Sequence, residues 1–253
     1  MLLNLYTSFS EPIFIVGFHH SGTRLISKLL LDAGLFQPIG TPSHESGHIQ
    51  KINSSIMSAW YDELAVRNFK PTPSLCNNIS KLGLIKLLLL SGYRGGQPWG
   101  HKDPRTSYTL PCWLAKFPKA QVVHVVRDPL DVIGTLGENY AKFSQTGLPP
   151  HQDLGFWSRL WISYLDKILE TGPKARNFVE VKFEDICTSP KFYLNKLIAS
   201  LGMPTSNAID VSFIRSDKIG LHKKWISDGR INNSSLEKLQ SQVVKYRQYY
   251  NYM

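Results

Sequence analysis

Two glycines five positions apart, Gly17 and Gly22, mark a loop that could hold an anion. The loop, GFHHSGT, joins an apolar run to a helical pattern, and its backbone N–H groups would face a ligand at the helix N-terminus. The spacing is that of a Walker A loop, but Thr23 replaces the lysine and Arg24 replaces the magnesium-binding hydroxyl. We expect phosphate or sulfate binding without the usual nucleotide cleavage; an ordinary tight turn is the alternative.

A second pattern, HESGH at residues 44–48, matches the zinc-protease motif H-E-x-x-H. That chemistry requires both histidines on one face of a regular helix. Proline, serine and glycine surround this motif and no apolar periodicity continues through it, so we predict that it binds no metal.

The elements that would position these residues alternate between strands and helices. Such alternation predicts an α/β fold with a mostly parallel central sheet and helices on both faces. Predicted strands lie at 13–17, around Trp99, at 121–126 and at 178–182. Predicted helices lie at 23–34, near 54–67, 79–91 and 107–117, from Pro129, at 154–171, at 190–201 and after a capping box at Ser234–Glu237.

The length of 253 residues and the absence of repeats or linkers predict a single domain over 1–253. Residues 1–11 would be an N-terminal extension and residues 234–251 a C-terminal helix. A hydrophobic fraction of 42% excludes wholesale disorder. The formal net charge of +10 indicates an anionic partner. The chain contains no run of five like charges, which argues against nucleic acid as that partner.

Three cysteines, Cys76, Cys112 and Cys187, are too few, odd in number and far apart for a disulfide scaffold. We interpret them as core or incidental residues that fit a reducing compartment. The most apolar run, residues 82–90, is too short for a transmembrane segment, and no leader is visible. These features predict a cytoplasmic protein; a luminal domain with its anchor removed is the alternative.

The glycine loop and several later segments resemble one family, the sulfotransferases that use 3′-phosphoadenosine 5′-phosphosulfate (PAPS). Its phosphosulfate loop reads (K/R)-S-G-T-(T/S), and its 3′-phosphate motif is a strand ending in Arg, then D/N-P-x-D-V, with a serine eight positions after the Arg. The chain is nearest in pattern to tyrosylprotein-type sulfotransferases and their bacterial relatives. The matching segments are His20-Ser21-Gly22-Thr23-Arg24, HKDPRT at 101–106, Arg127-Asp128-Pro129-Leu130-Asp131-Val132 with Thr135, residues 181–204 and HKKW at 222–225.

The resemblance implies a P-loop NTPase-like sulfotransferase fold, PAPS as donor, adenosine 3′,5′-bisphosphate (PAP) as product and no metal. It assigns cofactor binding to His20, Ser21, Gly22, Thr23, Arg24, Arg127, Thr135 and Lys224. Glu45 would be the general base, Lys102 would stabilise charge on the sulfuryl group or leaving phosphate, and His20 would face the bridging oxygen. His44, His20 and His101 are rival bases, because histidine titrates near neutral pH.

The acceptor would be a hydroxyl of a small molecule, saccharide, lipid or peptide, with an amine as second choice. Two other functions stay open at this point. A P-loop kinase of a small molecule is disfavoured by the missing Walker lysine. A catalytically inactive phosphonucleotide-binding protein would keep the fold and the basic site without the chemistry.

Overall fold

Four parallel strands form the central sheet, in the order β2-β1-β3-β4. The computed structural model describes residues 11–38, 44–59, 62–143, 154–204, 209–229 and 233–252, without the side chains of 137–143. The predicted α/β class, with a parallel sheet between helices, is confirmed. The strands are β1 (Ile13–Val16), β2 (Gly100–Lys102), β3 (Gln121–Val126) and β4 (Asn177–Lys182).

Twelve α-helices follow or separate these strands in the described part of the chain. They are α1 (Thr23–Asp32), α2 (Gly47–Ile56), α3 (Glu63–Asn68), α4 (Pro73–Cys76), α5 (Lys81–Leu90), α6 (Thr106–Lys116), α7 (Pro129–Phe143), α8 (Leu154–Thr171), α9 (Phe183–Thr188), α10 (Pro190–Ser200), α11 (Leu221–Ser227) and α12 (Asn233–Tyr249). No helix among the described residues is long and apolar enough to cross a bilayer.

The central strand β1 is buried on both faces, because helix α6 packs on one face of the sheet and helix α1 on the other. Phe14 and Val16 pack into one core with Trp113 of α6, while Ile13 and Ile15 pack into another with the leucines of α1. The pairs Ile15↔Lys102 and Ile15↔Val123 set the register. This register brings the ends of β1, β2 and β3 to one edge of the sheet, where ligands of open parallel sheets bind.

The segment between α1 and β2 differs most from the predicted elements. Helix α2 begins at Gly47, earlier than the predicted helix near 54, and two short helices, α3 and α4, precede α5. Strand β2 begins one residue after Trp99, which instead bridges Phe36. Gly100 is required at this point, because a Cβ there would lie 2.0 Å from the carbonyl oxygen of Ile13.

Cys76 and Cys112 form a disulfide, so the interpretation of these two cysteines as incidental core residues is wrong. Helix α4 packs on α6 and brings their Cα atoms to 4.7 Å although 36 positions separate them in sequence. The cysteines therefore give no support to a reducing compartment, since disulfides persist in oxidising ones. Cys187 is a free buried thiol, and burial raises its pKa to about 11.

The disulfide predicts a thiol count. In denaturant without reductant, an alkylating reagent should label only Cys187, and after reduction it should label all three cysteines. Replacing Cys76 and Cys112 together by serine should cost about 2–4 kcal/mol of unfolding free energy, because the crosslink restricts the unfolded chain. Mass spectrometry counts the labels, and three labels before reduction would contradict the disulfide.

Candidate active site

The glycine loop turns sharply between β1 and α1, and both of its glycines are required. At Gly17, with φ of 151°, a Cβ would lie 2.5 Å from the carbonyl oxygen of Val125 on β3. At Gly22, with φ of 94°, a Cβ would lie 2.4 Å from the ring of Phe183 on α9. The Ser107 hydroxyl accepts a hydrogen bond from the Gly17 N–H at 3.1 Å. The loop is thus held against three neighbouring elements.

Helix α1 begins at Thr23 with Gly22 as its N-cap, and none of the described side chains caps it. The first N–H groups of a helix have no partner within the helix, and its dipole favours an anion there. Ser21 and Thr23 are buried beside these groups, while Arg24 is exposed in the first turn. The predicted residues Ser21, Gly22, Thr23 and Arg24 therefore lie together at the N-terminus of α1.

His20 occupies the position where the family that this sequence resembles has a lysine or arginine. It adopts left-handed backbone geometry, with φ of 62°, and is half-buried. Burial and then the charge of Arg127 lower the pKa of His20 to about 4. At neutral pH the ring is therefore uncharged and can act through a hydrogen bond instead of a positive charge.

Arg127 follows the end of β3 and joins the glycine loop to a distant segment. Its guanidinium donates to the carbonyl oxygens of His20 at 3.1 Å and Lys218 at 2.6 Å, and stacks 4.7 Å from the Phe183 ring centre. Its Nε is buried without a hydrogen-bond partner among the described atoms. A buried guanidinium N–H of this kind is a donor suited to a bound anion.

Asp131, in the first turn of α7, anchors the segment that carries Lys224. It accepts hydrogen bonds from the backbone N–H of Gly220 at 2.8 Å and of His222 at 2.9 Å, and its Oδ1 lies 2.6 Å from His222 Nδ1. Trp225 packs on Gly134, where a Cβ would lie 1.9 Å from the indole. The start of α11 is therefore fixed on α7, and Lys224 is exposed there.

The Thr135 hydroxyl donates its hydrogen to the carbonyl oxygen of Asp131, one turn earlier in α7, at 2.7 Å. To donate to a bound anion, the Thr135 hydroxyl would have to rotate and give up this bond. The structure thus places Thr135 within the same segment as Arg127 but gives its proton an internal acceptor.

Glu45 and Lys102, two predicted catalytic residues 57 positions apart, form an ion pair. The Lys102 side chain is 4% exposed and that of Glu45 is 16% exposed. Gln50 on α2 donates to the other carboxylate oxygen of Glu45. Because Lys102 ends β2, this pair lies at the same edge of the sheet as the glycine loop.

Residues 12–207 match the model of a sulfotransferase family. This chain belongs to the sulfotransferase family. No curated protein matches the sequence. Among the solved structures of similar fold are three sulfotransferases, and at these identities the likeness shows the fold alone. They are the sulfotransferase domain of the Synechococcus PCC 7002 olefin synthase (TM-score 0.61, 17% identity, 97% of this chain and 96% of that chain), sulfotransferase STF9 from Mycobacterium avium (0.61, 12%, 98% and 79%) and mouse sulfotransferase SULT7A1 complexed with PAP (0.56, 12%, 98% and 89%).

Asn53 is a buried residue of this sulfotransferase whose place in the site the sequence did not indicate. Its amide nitrogen donates to Asp103 and to Thr106, each at 3.0 Å, and its oxygen accepts from Thr109 at 2.7 Å and Trp113 at 2.9 Å. It thereby ties α2, which follows Glu45, to the segment after Lys102. No short motif reveals this role, because Asn53 and its partners are about 50 positions apart.

Asp103 and Arg105 complete the segment next to Lys102. Arg105 donates to the fully buried Asp103 carboxylate at 2.9 Å through Nε. Burial raises the pKa of Asp103, against the charge and hydrogen bonds of Arg105 and Asn53. Because the Arg105 guanidinium is bound to Asp103, the main role of the pair is to hold the loop after β2 in place.

Four histidines lie around the glycine loop and the Glu45–Lys102 pair, and burial lowers the pKa of each. The pKa of His101 falls to about 3 through burial between Phe14 and Trp113, and that of His44 is lowered by burial and then by Arg24 and Lys102. His19, which the sequence analysis missed, has a pKa of about 3 because of burial and the neighbouring His20, Arg105 and Lys102 charges. Such histidines are neutral but weak proton acceptors.

The HESGH segment lacks the geometry of a zinc site. Helix α2 begins at Gly47, so His44 and Glu45 precede the helix that holds His48. Glu45 is bound to Lys102, and no group of three or more possible metal ligands exists among the described residues. The absence of a bound metal stays a prediction.

A cavity of about 1080 Å³ lies between α7, α11 and α12, apart from the glycine loop. Carboxylates line it, among them Asp128, Asp131 and Glu184. Burial raises the pKa of Glu184, although its bonds with the Asp128 N–H and Tyr252 oppose this. An anionic nucleotide suits the glycine loop and Arg127 better than this cavity, where four carboxylates outnumber the cations Lys223 and Arg247.

The anchor role of Asp131 gives a testable pH dependence. Burial alone would raise its pKa, but the hydrogen bonds from His222 and the charge of Arg127 hold the pKa below 3.8. A carboxylate whose pKa is lower in the folded than in the unfolded protein stabilises the fold at pH values above its unfolded-state pKa. This contribution disappears as the pH falls through its folded-state pKa.

Asp131→Asn should therefore lower the unfolding free energy at neutral pH by about 1–3 kcal/mol, since the N–H donors of residues 220–222 lose a charged acceptor. Urea unfolding at neutral pH and at pH values falling below 3.8 measures the difference from wild type. The difference should shrink as pH falls. A constant difference at every pH would show that the charge of Asp131 does not contribute.

Proposed function

We propose that this sulfotransferase moves the sulfuryl group of PAPS to a hydroxyl acceptor, with an amine as the second choice. The observation that carries the proposal is the contact between Arg127 and the His20 carbonyl oxygen. It joins the two segments that resemble the phosphosulfate and 3′-phosphate motifs, 107 positions apart, at one edge of the sheet. The PAP bound to the mouse sulfotransferase of similar fold supports the same nucleotide.

The residues present fit an anionic nucleotide with two phosphate positions. The open N-terminus of α1, with Ser21, Gly22, Thr23 and Arg24, would hold the phosphosulfate end. The partnerless buried Nε of Arg127 fits a second anionic group, which Thr135 and the exposed Lys224 would flank. When bound, PAPS supplies a sulfuryl group on a phosphate leaving group.

Glu45 is proposed as the residue that receives the proton of the acceptor hydroxyl. A hydroxyl is a weak nucleophile until its proton is removed, and a carboxylate oxygen at hydrogen-bond distance can take it. The Lys102 ammonium beside Glu45 would stabilise negative charge that develops on the sulfuryl group or the leaving phosphate, because a buried cation acts strongly in a water-poor site. Neutral His20 would donate a hydrogen bond where other members place a cation.

The proposed location follows from the disulfide. The sequence predicted a cytoplasmic protein with a luminal domain as the alternative. The Cys76–Cys112 bond supports the luminal alternative, because such a crosslink persists in an oxidising compartment. The acceptor class stays open between saccharide, lipid, peptide and small alcohol.

A thermal-shift comparison of nucleotides tests the donor. PAP should raise the unfolding temperature more than adenosine 5′-phosphate or ATP with magnesium at equal concentration. A ligand at 100 times its dissociation constant stabilises the fold by about 2.7 kcal/mol. A larger shift with magnesium and ATP would favour a small-molecule kinase, and no shift with any nucleotide would contradict the proposal.

A further inference from the structure

Helix α5 exposes leucines on the face that a surface helix normally fills with polar residues. Leu84 and Leu88, each 1% exposed, pack into the core with Trp113. On the opposite side, Leu82 is 61% exposed, Leu89 37% and Leu90 78%. A surface helix usually carries apolar residues only toward the core. The exposed leucines therefore form an apolar surface without a described partner.

Cations surround these leucines, and acidic residues are almost absent from this part of the sequence. Residues 64–127 contain ten lysines and arginines and one acidic residue; Lys102 and Arg127 are buried at the candidate active site and do not contribute to this surface. The one acidic residue, Asp103, is fully buried and bound to Arg105. Lys81, Lys86 and Arg94 are exposed on α5 and just after it. We call them and the three exposed leucines the α5 face.

The α5 face is held in place by local structure. The Ser80 hydroxyl caps the helix by accepting from the Gly83 N–H at 3.1 Å. Immediately before it, the Cys76–Cys112 disulfide fixes α4 to α6. The exposed leucines therefore sit on a preformed helix, and a binding partner would not have to order it.

We propose that the α5 face docks this protein peripherally on a bilayer that contains anionic lipids. The leucines would enter the boundary between headgroups and acyl chains, and the cations would bind lipid phosphates. A ten-residue helix is about 15 Å long, too short to span a bilayer but long enough to lie in its surface. This docking is independent of the reaction that the active site performs.

The chemistry of the face favours a lipid surface over other anionic partners. Single-stranded nucleic acid is bound by exposed aromatic side chains, whereas Tyr93, the aromatic residue next to this helix, is buried. A second copy of the chain, paired face to face, would bring Lys81, Lys86 and Arg94 against the same cations and be repelled. A bilayer with anionic headgroups complements both the leucines and the charge.

Vesicle sedimentation of the full chain tests the proposal. Wild-type protein should bind vesicles of phosphatidylcholine with phosphatidylserine far better than vesicles of phosphatidylcholine alone, and added salt should weaken binding. Combining Lys81→Gln, Lys86→Gln and Arg94→Gln should weaken binding on the order of 100-fold. Combining Leu82→Gln, Leu89→Gln and Leu90→Gln should weaken it at least about tenfold.

The matched control combines Lys191→Gln and Phe192→Gln on α10, where Phe192 is 65% exposed, and it should bind like wild type. Thermal unfolding should show that all variants stay folded, because the substituted side chains are exposed. Wild type that ignores anionic vesicles, or a leucine variant that binds them like wild type, would overturn the proposal. Light scattering provides a further test. If the wild type is a dimer that the leucine substitutions dissociate, and it does not bind vesicles, the proposal is also overturned.

Discussion

Arg127→Ala is expected to weaken PAP binding by about 2–5 kcal/mol, the cost of removing one member of a buried charge pair. The guanidinium is 6% exposed and holds the His20 and Lys218 carbonyl oxygens, so its loss removes charge and loosens both segments. Isothermal titration with PAP measures the change. Arg127→Lys keeps the charge but not the fork of donors, and its affinity should lie between wild type and the alanine variant.

The control for this prediction is Arg159→Ala, which removes a half-exposed arginine bound to Glu63 at 2.9 Å. It should leave PAP affinity unchanged. Unfolding curves separate lost binding from lost stability. Wild-type protein that binds PAP and adenosine 5′-phosphate equally well would contradict recognition of the 3′-phosphate by Arg127.

Glu45→Gln is expected to lower turnover by about 10²–10⁴-fold while PAP affinity stays close to wild type. Glutamine keeps the shape of the side chain and an oxygen that can accept a hydrogen bond from Lys102. It cannot take up the proton of the substrate hydroxyl. The measurement is a steady-state rate with an acceptor that the wild-type enzyme accepts, next to a PAP titration of both proteins. A fall in turnover without a fall in nucleotide affinity is the signature of a proton acceptor.

Two sets of variants control this assignment. His44→Ala should lower turnover less than Glu45→Gln, because burial and nearby cations already lower the pKa of His44. His20→Ala and His101→Ala should not behave as losses of a general base, since the pKa values of these rings are about 4 and 3. If Glu45→Gln is close to wild type while a histidine variant is inactive yet binds PAP, a histidine is the base.

Local patterns in the sequence predict the elements that have their own hydrophobic signal. Strand β3 and helix α8 have the predicted bounds, 121–126 and 154–171, because a short apolar run and a long apolar stripe are unambiguous. Between α1 and β2 the prediction is correct for α5, which lies at 81–90 within the predicted 79–91, but one helix predicted near 54–67 is replaced by α2 and α3. Helices α2 to α4 are short, and they take their conformation from packing against α6 and α8.

The candidate site divides in the same way. The glycine loop and Arg127 stand in contiguous motifs, so their sequence alone indicates an anion site. The contacts of Asp131 with His222, of Asn53 with Asp103 and the disulfide join residues 36 to 91 positions apart. Their side chains are ordinary in their local context, and only the folded chain brings them together.

Transfer of labelled sulfur from PAPS tests the central claim most directly. The full chain is incubated with PAPS labelled in its sulfuryl group and with saccharide, lipid, tyrosine-peptide or small-alcohol acceptors, and the labelled product and PAP are quantified together. The account predicts that at least one hydroxyl acceptor gives product and PAP in equal amounts, and that Glu45→Gln abolishes most of this. PAP binding without transfer to any acceptor, or phosphate transfer from ATP with magnesium, would contradict it.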